Sequence, residues 1–193
     1  MFSRISLYLL FSVCISYGQS NSWYQKFLSA LNNKAGVTFT AQIMQKEFEL
    51  SSESIAKIEI VNKTHFIIDM NQETIFISGD TIKTYNKLTK QLIIDKIIND
   101  DIGIFSLLTG NIENIVFKKS IVLNEKIKII FKIPELGYDG QIDILKSGEP
   151  KRMNLSYAKD QYINILINNF QTGNLTMYKN FQPNPKEIIN LHE

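Results

Sequence analysis

The sequence feature that most constrains the fold is an alternation of apolar and polar residues with a period of two. It begins at residue 37, where every second side chain up to residue 43 is apolar, and it returns at residues 57–60 and 65–70. Successive side chains of a β-strand point to opposite faces, so this period predicts strands. Further strand candidates cover residues 73–78, 81–85, 90–96, 112–123, 126–133, 140–146, 152–159 and 162–170, with a short terminal piece.

Short runs of turn-forming residues separate these candidates. Gly, Asn, Asp or Pro occurs at residues 78–80, 123–125, 138–140, 147–150 and 158–160. Such residues favour the tight turns of hairpins. The order of strands and turns predicts a meander in one antiparallel sheet, without βαβ units.

A first helix is predicted at residues 21–33. Ser22 is a candidate N-cap, and Trp23, Phe27 and Leu31 recur at helical spacing together with Leu28 and Ala30. The residues up to Gly36 are expected to end the helix.

A second helix is predicted in the middle of the meander. Residues 99–101 are Asn, Asp and Asp, which suit an N-cap, and the following segment stops at Gly110. This short helix carries four large apolar side chains, which are Ile104, Phe105, Leu107 and Leu108. A helix of this kind between strands must cover something apolar.

Several strand candidates are apolar on both faces, for example residues 91–98 and 127–133. Strands of this kind need cover on both sides. A large curved sheet could enclose a hollow and place helices over its mouth, or an ordinary sheet could pack its helices tightly as a core. Apolar periodicity alone leaves both interpretations open.

The N-terminus predicts export. Arg4 supplies a positive charge, residues 7–15 form a short apolar segment, and Ser16 and Gly18 frame a small-x-small cleavage site before Gln19. The apolar segment is shorter than the roughly 20 residues that span a bilayer. We therefore expect a signal peptide at residues 1–18, a single domain at residues 19–193 and a periplasmic location. A lipid anchor on Cys14 is the less favoured alternative, because residues 11–13 are a poor lipobox.

Charge and composition speak against several functions. Cleavage after Gly18 removes the single cysteine and Arg4, which leaves 20 basic and 19 acidic residues. This balance offers no field for nucleic acid or for an anionic membrane. His65 and His192 are the two histidines, and no zinc-binding, nucleophile-elbow or phosphate-loop motif can be written. We expect no metal, no cofactor and no catalytic residue.

Scattered carboxylates keep one enzymatic alternative open. A hydrolase could use a pair drawn from Asp69, Asp95 and Asp143, because such pairs need only proximity in space. Turns and helix caps explain most of the other aspartates, including Asp80 and Asp139. An exported hydrolase is thus the interpretation with least support.

Four segments carry a resemblance to one family. They are the hairpin at residues 79–95, the strand pair at 58–68, the helix at 105–111 and the closing Phe-Gln-Pro-Asn-Pro at 181–185. Their order and spacing, after an amphipathic first helix and the strand at 37–42, resemble the LolA-type periplasmic carriers of outer-membrane lipoproteins. The chain departs from the family at its latch arginine, where Asn62 stands, and at a strand tryptophan, where Ile68 stands.

The resemblance implies a mainly β (α+β) fold, an incomplete antiparallel β-barrel of about eleven strands with helices forming a lid over its mouth. It implies a monomeric, non-enzymatic carrier that takes acylated lipoproteins from an inner-membrane ABC-type release complex to an outer-membrane acceptor. The alternative is a protein of the same fold that binds lipids or senses lipoproteins.

By motif position the resemblance also implies a site. It places Phe66 and Ile68 on the lipid-facing surface, opposite Ile104, Phe105, Leu107 and Leu108 of the lid, and makes Asn62 the candidate latch. Trp23, Phe27 and Leu31 are candidates for a second plug. Strand alternation adds Phe39, Ile58 and Ile60.

Overall fold

The computed structural model describes residues 20–97, 104–110 and 114–192, with the side chains of Ile104 and Phe105 left out. Within these ranges twelve strands form one sheet. They are β1 (Val37–Glu47), β2 (Leu50–Asn62), β3 (His65–Met70), β4 (Glu73–Ser78), β5 (Thr81–Asn86), β6 (Gln91–Lys96), β7 (Val116–Leu123), β8 (Lys126–Ile133), β9 (Tyr138–Leu145), β10 (Pro150–Ala158), β11 (Gln161–Thr172) and β12 (Glu187–Asn190).

The strand order is β12-β6-β5-β4-β3-β2-β1-β11-β10-β9-β8-β7. Two meanders are therefore joined at the centre, where β1 pairs with β11. The pairs are antiparallel except at one edge, where β12 lies parallel to β6. β7 and β12 are the two edges and do not pair with each other, so the sheet is open. The predicted fold class, an incomplete barrel with helices, is confirmed, with twelve strands in place of about eleven.

The burial of the inner face, defined here as the face that carries the main hydrophobic cluster, shows that the sheet curls. Buried residues of this cluster come from strands as far apart in the sheet as β4 and β8. Seven strand spacings of about 4.8 Å would span about 34 Å on a flat sheet. Short helices about 10 Å wide cannot cover such a width, so strands must cover one another.

Helices occupy three places in the described ranges. The first, α1, covers residues 20–31, α2 is Ile104–Thr109 and α3 is Thr176–Lys179. Since residue 20 is already helical, Ser22 lies inside α1, and its prediction as the N-cap is wrong. The predicted cap of the second helix at residues 99–101 lies outside the described residues. The predicted stop at Gly110 is confirmed by its left-handed φ of +67°.

One predicted turn is placed differently. Residues 138–140 belong to β9, and the chain reverses earlier, through a 3-10 turn at Pro134–Leu136 that ends on the left-handed Gly137. Gly140 is needed inside the strand for another reason. A Cβ there would lie 2.1 Å from the Phe131 ring, so glycine lets this ring rest on the neighbouring strand.

The outer face of β2–β5 is covered by a C-terminal strap, defined as residues 173–186. Phe76 on β4 stacks on Tyr178 and Phe181 of the strap, with ring centroids 4.8 and 4.7 Å apart. Glu59 on β2 is fully buried, and its carboxylate accepts hydrogen bonds from three successive backbone N–H groups, at 3.1 Å from those of Thr176 and Met177 and at 2.9 Å from that of Tyr178. The strap thus gives these strands cover on both faces.

None of the helices within the described ranges has the length and hydropathy that a bilayer-spanning segment requires.

Candidate functional site: the apolar inner face and its helical cover

The inner face is apolar from one half of the sheet to the other. Alternation along each strand sends its apolar residues to this side, as the sequence predicts. The strand residues buried there are Val37, Phe39, Ala41, Ile43, Ala56, Ile58, Ile60, Phe66, Ile68, Ile77, Ile127, Ile129, Phe131, Ile133, Ile142, Ile144, Met153, Leu155, Ile163, Ile165 and Ile167. All of these buried side chains are apolar.

The helices supply the rest of this cluster. Phe27 and Leu31 of α1 and Leu107 and Leu108 of α2 are at most 1% exposed and belong to the same cluster as the strand residues. Helical side chains therefore pack together with the strands in one cluster. Trp23 is partly buried against the cluster.

The structure brings most of the predicted site together. Trp23 packs on the margin of the inner cluster, and nine other predicted residues are buried members of it, namely Phe27, Leu31, Phe39, Ile58, Ile60, Phe66, Ile68, Leu107 and Leu108. The side chains of Ile104 and Phe105 lie outside the described part. Burial of these residues is common to a lid and to a solid core, so their role in binding stays a prediction.

Asn62 is the last residue of β2, directly before the turn to β3. Its side-chain oxygen accepts hydrogen bonds from the Thr64 backbone N–H at 2.9 Å and from the Thr64 hydroxyl at 3.1 Å. The His65 ring nitrogen Nδ1 is 3.1 Å from the same oxygen. These local contacts shape the hairpin. The role of Asn62 as a latch stays a prediction.

The contact between the two covering helices involves Tyr24, which the sequence analysis missed. Its hydroxyl donates a hydrogen bond to the carbonyl oxygen of Gly110 at 3.4 Å, and its ring lies 5.6 Å from Phe27 and 5.3 Å from Phe117 on β7. Burial raises the pKa of the Tyr24 hydroxyl far above its usual value, so the group remains a donor. Residues 20, 24, 27 and 31 form the buried stripe of α1, and this spacing in the sequence could have identified Tyr24.

The end of α2 approaches α1 closely. A Cβ on Gly110 would lie 2.6 Å from Leu28, 3.3 Å from Leu31 and 3.4 Å from Phe27. Glycine is favoured at this position by its positive φ, while the close contact is made with the end of the flexible Leu28 side chain. Together with the Tyr24 bond, this contact is the described link between the two helices.

One polar atom in this region lacks a partner. The indole N–H of Trp23 is buried and has no acceptor among the described residues, while the Lys26 ammonium lies 4.3 Å from the centroid of the same indole. A buried donor without an acceptor is costly. A ligand that carries a carbonyl oxygen could satisfy it.

A large groove lies elsewhere in the described part. It has a volume of about 1000 Å³ and separates the solvent side of α1 from the β9–β10 turn, with Gln25, Lys26, Ser29 and Glu149 among its lining residues. Apart from Ala30 and Phe170, which packs against the inner cluster, its lining residues are polar or charged. The inner face, and not this groove, is the candidate for hydrocarbon.

Carboxylates do not assemble into a catalytic pair at the positions considered. Asp69, Asp95 and Asp143 lie on β3, β6 and β9, which are not neighbours in the sheet. Each has a separate partner, namely Lys87, His192 and Gln141. Within the described ranges, no three His, Cys, Asp or Glu side chains are grouped so that they could hold a metal ion.

Comparison with known proteins gives similarity in structure alone. No protein-family model and no curated protein sequence matches the chain. An uncharacterized conserved protein from Thermus thermophilus has a similar structure, with 14% identity and a TM-score of 0.53 over 86% of this chain and 98% of its own. A LolA superfamily protein from Nitrosomonas europaea has 5% identity and a TM-score of 0.48, and the match covers 82% of this chain and 96% of that protein. LprF from Mycobacterium bovis has 9% identity and a TM-score of 0.44, and the match covers 80% of this chain and 94% of LprF.

The Thermus protein shares the fold of this chain, and the family that the sequence motifs predicted is represented among the similar structures. At these identities the similarity concerns the fold and does not extend to a ligand.

Proposed function

We propose that this protein is a periplasmic carrier that shields the acyl chains of lipoproteins against its inner face and transfers them from the inner to the outer membrane. The observation that carries this proposal is the continuous apolar inner face under two short helices. In this proposal residues 1–18 are a signal peptide, the mature chain works as a monomer, and it exchanges cargo with an inner-membrane ABC-type release complex and an outer-membrane acceptor.

The energetics of hydrocarbon favour a carrier with a filled site. Exposing a methylene to water costs about 0.8 kcal/mol, so an acyl chain of about 15 methylenes costs on the order of 12 kcal/mol to move unaided. Displacing Leu107 and Leu108 from their buried places costs about 3–6 kcal/mol. The free energy gained by burying one acyl chain exceeds the cost of displacing the two leucines. Because that cost is subtracted, the net affinity for the acyl chain is lowered, which favours its release at delivery.

Trp23 gives the site a polar feature that suits an acylated ligand. Its buried indole N–H has no acceptor in the described part of the chain. The carbonyl oxygen of an acyl ester or amide is an acceptor, and it sits beside the hydrocarbon that the inner face would bind. A lipid ester offers the same group, so this feature supports both the lipoprotein carrier and the alternative lipid-binding protein.

The experiment that tests the proposal compares two phenylalanines on neighbouring strands. Phe66 belongs to the inner cluster on β3, whereas Phe76 on β4 stacks under the strap on the outer face. A photo-crosslinkable phenylalanine analogue would be placed at each position in the native host and activated by light. We expect crosslinks to acylated proteins from position 66 and none from position 76.

The captured species also decides between the two cargoes. Mass spectrometry that finds phospholipid but no acylated protein at position 66 would assign the lipid-binding alternative. Equal capture at both positions by folded protein, or no acylated molecule at position 66, would refute an acyl-chain site on the inner face.

A further inference from the structure

The hairpin of β7 and β8 is strongly positive, although the net charge of the whole chain is close to zero. It carries five lysines and one acidic residue, Glu125. Of the five, Lys132 forms an ion pair, at 3.1 Å from Asp139, and Glu125 is paired with Lys146 of the next turn. The four other lysines, which are Lys118, Lys119, Lys126 and Lys128, have no carboxylate within 4 Å in the described ranges.

The tip of the same hairpin exposes apolar side chains. Val122 is 48% exposed and Leu123 is 55% exposed, directly before the turn at Asn124. A single exposed apolar residue needs no explanation. Val122 and Leu123 point to opposite faces of the hairpin tip, since they are adjacent in β7, so both can meet a membrane interface only when the tip approaches it end-on or edge-on, with lysines on both strands.

The hairpin also borders the helices that cover the inner face. β7 is an open edge of the sheet and directly follows the segment that contains α2. On its inner side Phe117 packs against Tyr24 of α1, at 5.3 Å between ring centroids. A surface that binds here would therefore lie beside the elements that must move for cargo to enter or leave.

We propose that the β7–β8 hairpin docks the protein on an anionic lipid surface. Val122 and Leu123 enter the interfacial region, while Lys118, Lys119 and Lys126 contact the lipid phosphates. The charge complementarity is local: each lysine near an anionic leaflet contributes about 1 kcal/mol of binding, or about fivefold in affinity, although the mature chain is almost neutral. The inference adds a membrane partner to the proposed carrier and rests on it for its biological purpose, but docking requires no cargo.

Edge protection is the competing explanation for the lysines. Charged residues on an edge strand prevent pairing with another sheet, and β7 also has a bulge between Phe117 and Lys119. This explanation does not account for the exposed apolar tip. It also predicts a different result, since glutamates at these positions would keep the edge charged and would leave lipid binding unchanged.

The test is sedimentation of the cargo-free mature protein with vesicles of about 70% phosphatidylcholine and 30% phosphatidylglycerol. We expect salt-sensitive binding that is absent with pure phosphatidylcholine. The triple variant K118E/K119E/K126E is expected to lower the affinity by about 100-fold or more, since three favourable contacts are lost. The variant V122E/L123E is expected to abolish binding.

Matched variants control for net charge and for exposed apolar area. K63E/K159E/K186E makes the same charge change at exposed lysines outside the hairpin, and L50E/L88E changes two exposed leucines of other turns. Both are expected to bind as the unmodified protein does. Absence of binding to the anionic vesicles, equal losses in the control variants, or unchanged lipid binding of K118E/K119E/K126E would overturn the proposal. None of these outcomes affects the crosslinking result at Phe66, so the two proposals fail independently.

Discussion

The hydroxyl of Tyr24 donates a hydrogen bond to the carbonyl oxygen of Gly110, which joins the middle of α1 to the residue that ends α2. The donor is 5% exposed and is separated from the acceptor by 86 positions in the chain. A buried bond of this kind holds one covering helix to the other. We expect it to stabilise the closed arrangement against opening.

Replacing Tyr24 with phenylalanine should weaken this closed arrangement. The change leaves the Gly110 carbonyl without its donor, at a cost of about 1 kcal/mol. If α2 competes with the ligand for the inner face, the open fraction rises by about fivefold, and so does the apparent affinity for a fluorescent fatty acid. Titration with the probe, together with urea unfolding, measures both quantities.

Tyr85→Phe is the matched control for this variant. It removes a hydroxyl-to-carbonyl hydrogen bond of similar length, 3.5 Å to Asn184, on the outer face. Fatty-acid affinity should stay unchanged in this control. If Tyr24→Phe lowers the affinity or leaves it unaltered while unfolding becomes easier, α2 does not compete with the ligand.

Comparing the stability of Gly110→Ala with that of Gly79→Ala should separate the cost of backbone strain from the cost of steric crowding. Both glycines have a φ of +67°, so both alanines are strained to a similar degree. Around Gly79 the space is open, whereas a Cβ on Gly110 would lie 2.6 Å from Leu28. We expect about 1 kcal/mol of destabilisation at Gly79 and up to about 1 kcal/mol more at Gly110, where the Leu28 side chain has to shift, measured by urea unfolding. Equal losses would show that the end of α2 does not press on α1.

The inner face could be predicted from the sequence because its signal is local. Alternation along each strand assigns a residue to a face without knowledge of its neighbours, and Phe39, Ile58 and Ile60 are all buried as expected. The pairing of β1 with β11 could not be predicted in this way. It joins residues more than 110 positions apart, and no local pattern specifies such a contact.

The burial of Glu59 on the outer face could not be predicted for a related reason. Glu59 alternates with Ile58 and Ile60 and therefore reads as a solvent-facing residue, yet it is fully buried. The strap that buries Glu59 comes from the C-terminal part of the chain. The first backbone N–H groups of α3, which belongs to the strap, donate hydrogen bonds to the Glu59 carboxylate. The alternation of apolar and polar residues along a strand does not indicate whether a distant segment of the chain will bury its polar residues.

Glu59→Ala should release this strap. Three backbone N–H groups lose a charged acceptor, so we expect about 3 kcal/mol of destabilisation and faster trypsin cleavage at Lys179 and Lys186. Glu53→Ala on the same strand is the control, because its side chain is exposed. Comparable cleavage rates in the two variants would show that Glu59 does not hold the strap.

Asp95 should titrate below its usual range. The Lys96 backbone N–H, 2.7 Å away, is the main cause of its lowered pKa, and the His192 ring, 2.6 Å away, adds to it. Because the folded pKa is lowered, the stabilisation is complete above about pH 4 and is lost as the pH falls through the folded pKa. NMR titration should show a shift that His192→Ala reduces only partly. Full recovery of the usual pKa in that variant would assign the effect to His192 instead.

Trp23→Phe distinguishes a ligand-binding indole from a structural one. The indole N–H is buried without an acceptor, so its removal should relieve an unmet hydrogen bond and leave stability unchanged or raise it by up to about 1 kcal/mol. If the N–H bonds the carbonyl of an acyl ester, the same variant should bind a fatty-acid ester about 5–10 times more weakly, while a plain alkane of equal length binds as before. Calorimetry with both ligands makes the comparison.

Equal losses of affinity for the ester and the alkane would mean that Trp23 contributes packing alone. A loss of stability without a change in binding would mean that the indole N–H has its acceptor inside the protein.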